Sequence, residues 1–399
     1  MNGQPPTNTN VVVIGAGYSG VIAANALQAN PDLGITLLNR WPRFVERIRL
    51  HELAADVDDA TEAFDELLGE RVRLVVDSAT RIDREARRIE LASGEALDYD
   101  YLIYAVGSTG FVPARVVGAA EFTYPLSEFD EAERLRDRLR QTGPRDPVVI
   151  VGGGLTGIEI AGELGEQHRN VSVVTDILAP SLSAGARRSV GRQLARLGVK
   201  VIEGLDAAVV SCTADSVVLA DGRVLPSSVT IWTAGLAVPG LAAESGLTTD
   251  ALGRLVTDET LTSVDDRRIV GAGDAVAPSG VALRMSCQAA GPLGAQAANT
   301  VLAHLAGSEP AEISQGFIAQ CLSIGRGRGV IQLVHNDDSP RFVFVPGRVA
   351  ALIKEQVCKG TLDHMRHEAH EPGTYGWFKK GSWRTDHLAA RERAGQEAG

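Results

Sequence analysis

The 399-residue chain is predicted to adopt an α/β fold built around two parallel β-sheets. Two stretches carry this prediction, VVVIGAGYSG at residues 11–20 and VVIVGGGLTGIE at residues 148–159. Both run from β-branched residues through spaced glycines into a second apolar segment. Short runs rich in valine and isoleucine are typical of buried parallel strands, and the apolar positions after the glycines suit buried helices. The sequence therefore contains the same strand, turn and helix twice.

The glycine spacing in each turn is typical of a site for a dinucleotide. In the first turn, Gly15 permits a tight bend, Gly17 lets the backbone approach a pyrophosphate, and Gly20 lets helix and strand pack closely. The phosphate charge would face the N-terminus of the following helix, where backbone amides are free. The second turn repeats the spacing with Gly152, Gly154 and Gly157. One GxGxxG turn is weak evidence, but two in the same context predict two Rossmann-like dinucleotide-binding domains.

Three later segments extend this architecture. DYDYLIYAVGS at residues 98–108 and TIWTAGL at residues 230–236 each lead an apolar strand into a glycine turn. RRIVGAGDAV at residues 267–276 ends a strand in a Gly-Asp pair, where backbone amides and a carboxylate can meet a sugar or polyol chain. We therefore expect these turns to border the same sites as the two GxGxxG turns.

Composition and charge exclude several classes of protein. Hydrophobic residues make up 44% of the chain and aromatic residues 5%, as in an ordinary globular protein. The formal net charge of −11 argues against a nucleic-acid partner, because such binding requires clustered lysine and arginine. The N-terminal MNGQPPTNTN lacks the features of a secretory signal, and the apolar stretch at residues 11–27 is interrupted by glycines and too short to span a membrane. A cytoplasmic protein is therefore expected.

The cysteines and histidines do not form a metal-ligand pattern in the sequence. The four cysteines are scattered, and we interpret each as a small buried apolar side chain: Cys212, Cys287, Cys321 and Cys358. His364, His367 and His370 could share one arc of a helix, but exposed histidines on a charged segment are commoner. No metal site is predicted.

The order of the motifs resembles a known superfamily. GAGYSG, AVGS, GGGLTGIE, WTAG and GAGDA follow one another as in the pyridine-nucleotide-dependent flavoproteins, which bind FAD at the first glycine turn and NAD(P)H at the second. Within that superfamily the chain is similar to the type II NADH:quinone reductases. LSIGRGRGVIQ at residues 322–332 and PGRVAALIKE at residues 346–355 make it more similar to the apoptosis-inducing-factor-like group, which includes the ferroptosis suppressor quinone reductase. The flavin disulfide reductases have a cysteine pair soon after the first turn, and no cysteine before Cys212 could serve that role.

The resemblance implies a set of residues for the FAD site. Those around the pyrophosphate would be Gly15, Gly17, Tyr18, Ser19 and Gly20. Ala79 would offer its backbone to the adenine, and Gly107 would line the site. Asp274, which follows Gly273, would bind the ribityl and pyrophosphate region.

Two parts of the FAD site depart from the superfamily pattern. The acid expected about 20 positions beyond the glycines is Asn39 here, followed by Arg40, and an amide can still donate and accept hydrogen bonds. In SCQAAGPLGAQAANTVLAHL, residues 286–305, the quinone-reductase pattern AQxAxQxG keeps its first glutamine as Gln288 but has Pro292 in place of the second. Gln288 and Ala289 would contact the FAD. The N-terminus of this helix would present free amides to the flavin and favour negative charge on it. An alanine-rich packed helix is compatible with that role.

In the second site, the nicotinamide cofactor is expected to contact Gly152, Gly154, Gly157 and Gly235. The strand VSVVTD ends in Thr175 and Asp176, so the usual ribose-binding acid is displaced by one residue or is missing. The choice between NADH and NADPH therefore stays open.

The resemblance also implies three catalytic residues: Glu159, Gln288 and Lys354. Glu159 matches a position near the nicotinamide, although an acid near a helix N-terminus also complements the helix dipole. Lys354 matches a lysine of the suppressor-like group, but it also fits the polar edge of an amphipathic helix. Arg49 and His51 follow the first βαβ segment, where relatives approach the flavin, and a solvated basic turn is an equally good interpretation.

These observations define a domain plan and a function. FAD-binding segments at residues 1–112 and 250–315 would flank an inserted NAD(P)H-binding domain at residues 113–249. Residues 316–399 would form a C-terminal αβ region that shapes the acceptor pocket, with the polar HLAARERAGQEAG as a frayed helix or tail. We predict that NAD(P)H passes hydride to the flavin, which then reduces a quinone or quinone-like acceptor. The alternatives are an oxidoreductase that acts on a specialised metabolite or oxygen, and a low-turnover flavin redox sensor or partner-binding protein.

A possible membrane contact lies in the C-terminal region. Four apolar residues are spaced as one stripe of a helix: Val349, Leu352, Ile353 and Val357. Flanking Arg348, Lys354 and Lys359 complete the pattern of an interfacial helix. Packing of the stripe on the flavin domain or at a homodimer contact is the commoner outcome. We therefore expect at most weak peripheral association, on the inner face of a membrane.

Overall fold

The structure is a computed structural model that describes residues 9–377 and 379–397. Most of the N-terminal stretch that argued against a secretory signal, residues 1–8, lies outside the described residues. The described strands are β1 (Thr9–Ile14), β2 (Leu33–Asn39), β3 (Arg43–Val45), β4 (Thr61–Ala63), β5 (Val72–Val76), β6 (Ala79–Asp83), β7 (Arg88–Leu91), β8 (Ala96–Asp98), β9 (Tyr101–Tyr104), β10 (Thr109–Gly110), β11 (Thr123–Pro125), β12 (Pro147–Val151), β13 (Asn170–Thr175), β14 (Lys200–Glu203), β15 (Val209–Cys212), β16 (Ser216–Leu219), β17 (Val224–Pro226), β18 (Val229–Trp232), β19 (Leu236–Ala237), β20 (Leu255–Thr257), β21 (Ile269–Gly271), β22 (Val276–Pro278), β23 (Ala319–Ser323), β24 (Gly329–Val334) and β25 (Pro340–Pro346). The helices are α1 (Tyr18–Ala26), α2 (Leu50–Ala54), α3 (Ala119–Phe122), α4 (Phe129–Arg140), α5 (Leu155–Glu166), α6 (Ala184–Arg196), α7 (Leu241–Glu244), α8 (Cys287–Ala306), α9 (Arg348–His370) and α10 (Trp383–Glu397).

Two parallel sheets of five strands form the framework. The first has the order β21-β9-β1-β2-β5, and the second has the order β11-β18-β12-β13-β14. The strand before each GxGxxG turn, β1 or β12, is central in its sheet, and its apolar residues are buried. The α/β fold with two Rossmann-like units is therefore confirmed.

The first sheet is assembled from distant parts of the chain. Strand β21 pairs with β9 although about 165 residues separate them, and helix α8 packs against α1. Each parallel sheet is accompanied by a small antiparallel sheet, β6-β7-β8 in the first case and β15-β16-β17 in the second. This arrangement supports an inserted second unit, while the boundaries at residues 112, 249 and 315 stay predictions.

Glycines bring strand and helix together at both turns. Gly15 has a φ of +96° and Gly152 a φ of +121°, values that favour glycine. A Cβ on Gly20 would overlap the carbonyl oxygen of Gly15, and one on Gly157 would overlap that of Gly152. The third glycine of each motif is therefore required by close packing inside the protein.

The C-terminal region consists of the antiparallel sheet β23-β24-β25 and helices α9 and α10. The predicted tail helix is present as far as Glu397, and residues 398–399 lie outside the described residues. Near the start of α10, the buried Arg384 pairs with Glu259 at 2.8 Å. The C-terminal region is thereby attached to the loop between β20 and β21.

Helix α9 exposes apolar side chains to solvent and buries a lysine. Its predicted apolar stripe is exposed, with Val349 57%, Leu352 67%, Ile353 38% and Val357 42% accessible, whereas Lys354 is buried. Packing of the stripe on the flavin domain, the commoner outcome for such a pattern, is therefore wrong, because the helix turns its lysine inward instead. None of the helices among the described residues is long and apolar enough to cross a membrane.

Candidate active site

A cavity of about 970 Å³ lies between the two glycine turns and the C-terminal region. A volume of this order is at the upper end for small-molecule and cofactor sites. The predicted residues that line it are Gly15, Gly17, Tyr18, Ser19, Asn39, Arg40, Ala79, Gly107, Gly154, Glu159, Gly235, Gly273, Asp274, Gln288 and Lys354. Most of the residues singled out from the sequence are thus brought together, although they come from all parts of the chain.

Both glycine turns can accept phosphate groups. Gly17 is the N-cap of α1 and Gly154 the N-cap of α5, and neither helix has a side-chain cap or an acid in its first turn. The amides at these two helix starts are therefore not neutralised by carboxylates. A Cβ on either glycine would meet no protein atom within 4 Å, so both backbones face open space. The residues present fit the two dinucleotides that the motifs imply.

Asn39 and Arg40 occupy the edge of the first site. The Asn39 side chain accepts the amide of Ala16 at 3.1 Å and donates to the carbonyl of Trp41 at 2.9 Å, so it fixes the glycine turn. Arg40 is exposed and pairs with Glu128 and Asp130 at 3.1 and 3.0 Å. Their predicted contacts with FAD stay predictions.

Asp274 fixes the opposite side of the first site. Its carboxylate accepts the Ser108 hydroxyl at 2.7 Å and the amide of Ser286 at 3.1 Å. Arg47 donates to the same Ser108 hydroxyl at 3.0 Å and also borders the cavity. Arg47 and Ser108 were not singled out from the sequence, although Ser108 ends the AVGS motif, because a motif does not show which side chains of a turn face the cavity.

The start of α8 differs in one detail from the expectation of free amides. The amide of Ala289 donates to the hydroxyl of Ser286 at 3.3 Å, because Ser286 is the N-cap. Proline at 292 has no N–H for the carbonyl of Gln288, and the side chain of Gln315 donates to that carbonyl instead, at 3.1 Å. The Gln288 side chain accepts the amide of Ile318 at 3.2 Å, which ties α8 to the following segment.

A polar cluster consists of Glu159, Lys354, His51 and Ser323. The first three are buried and form one wall of the cavity, and Ser323 is half-buried. The Lys354 ammonium donates to the Glu159 carboxylate and, at 2.9 Å, to the Ser323 hydroxyl. The Ser323 amide donates to Glu159 at 3.2 Å. His51 Nδ1 lies 3.7 Å from Glu159, and its Nε2 lies 3.4 Å from the Ser323 hydroxyl. The cluster joins α2, α5, β23 and α9.

Opposite effects of burial and charge set the protonation states in this cluster. Burial, the largest single effect, would lower the pKa of Lys354, but its surroundings, with the Glu159 carboxylate foremost, together outweigh burial, and the pKa of Lys354 is raised. Burial lowers the pKa of His51 well below its usual value, and the nearby Lys354 ammonium acts in the same direction. At neutral pH the cavity wall therefore presents an ammonium beside a neutral imidazole.

The interpretation of Arg49 and His51 as a solvated basic turn is wrong, because both side chains are buried. The Arg49 guanidinium contacts Glu46 at 3.3 Å, Glu52 at 3.1 Å and Glu355 at 3.2 Å. Three carboxylates can satisfy a buried guanidinium, whose five N–H groups form a rigid fork. This group fastens α2 to α9 next to the polar cluster.

The end of β13 lies apart from the cavity. The Thr175 hydroxyl donates to the carbonyl of Ile177 at 3.0 Å and is buried against Gly153. Asp176 is exposed, and its carboxylate accepts the amide of Ile177 at 2.7 Å. Neither residue borders the cavity, and their contact with the nicotinamide cofactor stays a prediction.

The interpretation of all four cysteines as small buried side chains is only partly right. Cys212 and Cys358 are buried, whereas Cys287 and Cys321 are half-buried. Cys287, Cys321 and Cys358 all line the cavity. A single sequence could not reveal this, because the three lie in separate elements and have no regular spacing.

Comparisons with known proteins agree with this geometry. Residues 9–298 match the pyridine nucleotide-disulphide oxidoreductase family. An NADH dehydrogenase-like protein of Mycobacterium tuberculosis is 30% identical over 325 residues, which cover 74% of this chain and 80% of the relative. A type II NADH:quinone oxidoreductase of Staphylococcus aureus is 26% identical over 389 residues, 87% of this chain and 93% of the relative.

Solved structures share the fold. The sulfide:quinone oxidoreductase of Aquifex aeolicus superposes with a TM-score of 0.74 at 20% identity and covers 90% of this chain and 92% of its own. NDH2 of Plasmodium falciparum, solved with NADH, has a TM-score of 0.74 at 15% identity and covers 91% and 97%. The resemblance to the flavoprotein superfamily is confirmed. The chain belongs to the pyridine nucleotide-disulphide oxidoreductase family and is an oxidoreductase with FAD and NAD(P)H as cofactors.

Proposed function

We propose that the chain is an NAD(P)H:quinone oxidoreductase whose acceptor is a quinone or a quinone-like aromatic. The observation that carries the proposal is the buried cluster of Glu159, Lys354 and His51 on the wall of a cavity that also contains both glycine turns. The names of the relatives in Staphylococcus aureus support the same acceptor class. FAD, when bound, supplies the two-electron chemistry that side chains lack.

The glycine turns define two binding roles. The amides after Gly17 and the carboxylate of Asp274 would hold FAD from opposite sides, with Asn39 keeping the turn in place. The amides after Gly154 would hold the pyrophosphate of NAD(P)H. Because both turns border one cavity, the two cofactors can meet there without a movement of whole domains.

The polar cluster would serve the acceptor. A quinone that becomes a hydroquinone gains two electrons and two protons, so its carbonyl oxygens need hydrogen-bond donors. An ammonium has three N–H groups, and Lys354 uses one on Glu159 and one on Ser323. We propose that the third faces the acceptor carbonyl and stabilises the negative charge that develops on it. Glu159 keeps Lys354 charged, and His51 is a neutral group within reach of the same network.

An acceptor panel tests the proposal. The purified protein is mixed with NADH or NADPH, and cofactor oxidation is followed with oxygen alone, with ferricyanide and with water-soluble quinones. We expect quinones to raise the steady-state rate far above the rate with oxygen. A rate that no acceptor raises would favour the sensor or partner-binding alternative, and a quinone-independent rate with oxygen would favour an oxidase. The same assay decides between NADH and NADPH.

Access to a lipid-dissolved acceptor would involve helix α9. Val357 belongs to the exposed stripe and also lines the cavity, so the stripe is continuous with the mouth of the site. We propose weak peripheral attachment to membranes, in which Arg348 and Lys359 contribute about 1 kcal/mol each near an anionic surface. Vesicle co-sedimentation across a salt series tests this. Salt-sensitive binding supports it, and binding that survives high salt would show that burial of the stripe is the anchor. A homodimer contact at the stripe stays a prediction.

A further inference from the structure

Three thiols surround the part of the cavity next to Lys354. Cys287 is the first residue of α8, Cys321 lies in β23 and Cys358 lies in α9. All three line the cavity. The fourth cysteine, Cys212, is buried in β15 and does not border the cavity. The chain therefore contains an internal control, a buried thiol outside the site.

The register of β23 and α9 places two of the thiols side by side. Cys321 and Ser323 share a face of β23, because side chains alternate along a strand. Lys354 and Cys358 share a side of α9, because residues four apart are neighbours on a helix. The Lys354 ammonium contacts the Ser323 hydroxyl at 2.9 Å. Two residues back along β23 and four residues on along α9, Cys321 and Cys358 form the next pair, and the nearby Cys358 contributes to the raised pKa of Cys321.

This pairing sets the position of the sulfur atoms relative to an acceptor. A strand advances about 6.6 Å in two residues, and a helix advances about 6 Å in four. A quinone whose carbonyl meets Lys354 therefore has its ring close to Cys321. Cys321 is half-buried and opens to the cavity, whereas Cys358 is buried. Cys287 is also half-buried, but it begins α8, the helix predicted to face the flavin, so Cys321 is the thiol that a ring at Lys354 would meet first.

We propose that Cys321 covalently captures quinones that have an unsubstituted ring carbon, so that sustained turnover is restricted to quinones with a fully substituted ring. The inference rests on the proposed quinone acceptor. It identifies Cys321 as a site of covalent modification and fully substituted quinones as the acceptors.

The reaction balances without a further reagent. The S–H bond of Cys321 breaks, and an S–C bond forms at the unsubstituted ring carbon. The thiol proton and the displaced ring proton end on the two quinone oxygens, so the product is a hydroquinone thioether. A sulfur electron pair forms the S–C bond and the sulfur keeps its oxidation level; the reduction of the two quinone carbonyls is balanced by the oxidation of the attacked ring carbon from C–H to C–S. A ring that carries a substituent at every carbon has no hydrogen to give up and does not form this product.

Burial controls the rate of capture. Burial raises the pKa of Cys321 to about 11, although the Lys354 ammonium acts against it. Because the thiolate is the nucleophile, and only a small fraction of Cys321 is thiolate at neutral pH, capture is slow there, and its rate rises about tenfold per pH unit below the pKa. Cys212 has a pKa raised to about 11 by burial as well. A difference in reactivity between these two cysteines therefore reports access to the cavity, not acidity.

The experiment compares two quinones on the FAD-loaded protein. The protein is incubated without NAD(P)H in 1,4-benzoquinone or in tetramethyl-1,4-benzoquinone, separated from the quinone, weighed by intact mass spectrometry and assayed with tetramethyl-1,4-benzoquinone. We expect 1,4-benzoquinone to add one quinone mass at Cys321 and to abolish acceptor turnover, with a rate that increases about tenfold from pH 7 to pH 8. The tetramethyl compound should add no mass.

Two variants decide the assignment. Cys321→Ser should lose the adduct and its inactivation by 1,4-benzoquinone, judged against its own untreated rate, whereas Cys212→Ser should behave as the wild type. Inactivation of Cys321→Ser at the wild-type rate, an adduct on Cys212, or the absence of any adduct would overturn the proposal. If neither quinone is ever reduced, the proposed function is wrong, and the mass measurement still decides whether Cys321 is the site of attack.

Discussion

The two glycine turns have the same local structure but different surroundings. At the first turn, the Ser19 hydroxyl donates to the carbonyl of Ala290 at 2.7 Å, and a Cβ on Gly294 would overlap the backbone of Ser19, so α8 closes over α1. At the second turn, a distant segment packs on the helix further along, at Gly162, where a Cβ would overlap the backbone of Gly325, and Asp176, which follows strand β13, is exposed. The first site is therefore enclosed by a distant part of the chain, and the second is open at its edge.

This difference indicates that the motif provides for binding of a dinucleotide, whereas its surroundings affect how easily the dinucleotide is released. The strand, glycines and helix form a backbone that can receive a pyrophosphate. The packing of α8 then decides how freely the bound molecule can leave. An enclosed site suits a cofactor that stays through many turnovers, and an open one suits a cofactor that is exchanged in each. The following predictions test this contrast, starting with the largest expected effect.

Gly17→Val should give a protein without flavin. The φ of −80° and ψ of −169° at Gly17 are extended values that valine adopts readily, and a Cβ there meets no protein atom within 4 Å. The added methyl groups therefore occupy ligand space. Overpacking of about 1–3 kcal/mol corresponds to a loss of up to about 100-fold in FAD affinity. Flavin absorbance per protein measures it, and a full flavin spectrum with an unchanged melting temperature would contradict the assignment.

Gly154→Val is the matched change in the open site. Its φ of −72° and ψ of 178° are also extended, and its Cβ also meets open space. We expect the protein to stay yellow and to lose about 10- to 100-fold in NAD(P)H affinity, while dithionite still bleaches the flavin. Flavin reduction by NAD(P)H in a stopped-flow instrument measures this. Reduction at the normal rate would show that the second turn is not the donor site.

Glu159→Gln should have a smaller effect, on one half-reaction. The amide keeps hydrogen bonds with Ser323 but removes the charge that holds Lys354 as an ammonium. Oxidation of the reduced protein by a quinone should slow by about tenfold, less than the roughly 100-fold that follows removal of a direct donor, because the lysine itself is still present. Flavin reduction by NAD(P)H should change less. Equal slowing of both half-reactions would contradict a role for the cluster at the acceptor.

Local pattern was enough to predict the two glycine turns. β-branched runs, glycine spacing and apolar helices are encoded within about 20 residues, and the strand-turn-helix units are found at the predicted positions. The turns at Gly107, Gly235 and Gly273 also follow predicted strands, each with a positive φ. These features depend on residues that are close in the sequence, so a single sequence is enough to predict them.

The polar cluster and the thiols depend on neighbours in space. Lys354 meets Glu159 across 195 residues, and α9 places apolar side chains in solvent and its lysine inside, the reverse of an ordinary surface helix. Helical periodicity could not distinguish these two faces. The burial of Arg49 likewise requires carboxylates from two segments more than 300 residues apart. Such partners become visible only when the fold is known.

The smallest expected effect is a pH dependence of the free energy of unfolding that arises from His51 in the polar cluster. Because the pKa of His51 is lowered in the folded chain, the unfolded chain takes up a proton below about pH 6.5 that the folded chain does not. The contribution of His51 to the free energy of unfolding should therefore fall with decreasing pH, by up to about 1.4 kcal/mol per unit. Glu46 and Glu163, whose pKa values burial raises to about 7, act in the opposite direction below that pH.

Comparison with His51→Gln separates these effects, since both carboxyl groups are present in either protein. The difference in the free energy of unfolding, wild type minus variant, should decrease by about 1 kcal/mol between pH 7.5 and pH 5.5. Urea titrations at the two pH values measure it. A difference that does not change with pH would mean that His51 accepts its proton in the folded protein. The polar cluster would then hold a second positive charge beside Lys354. The proposed role of a neutral imidazole in the acceptor site would be wrong.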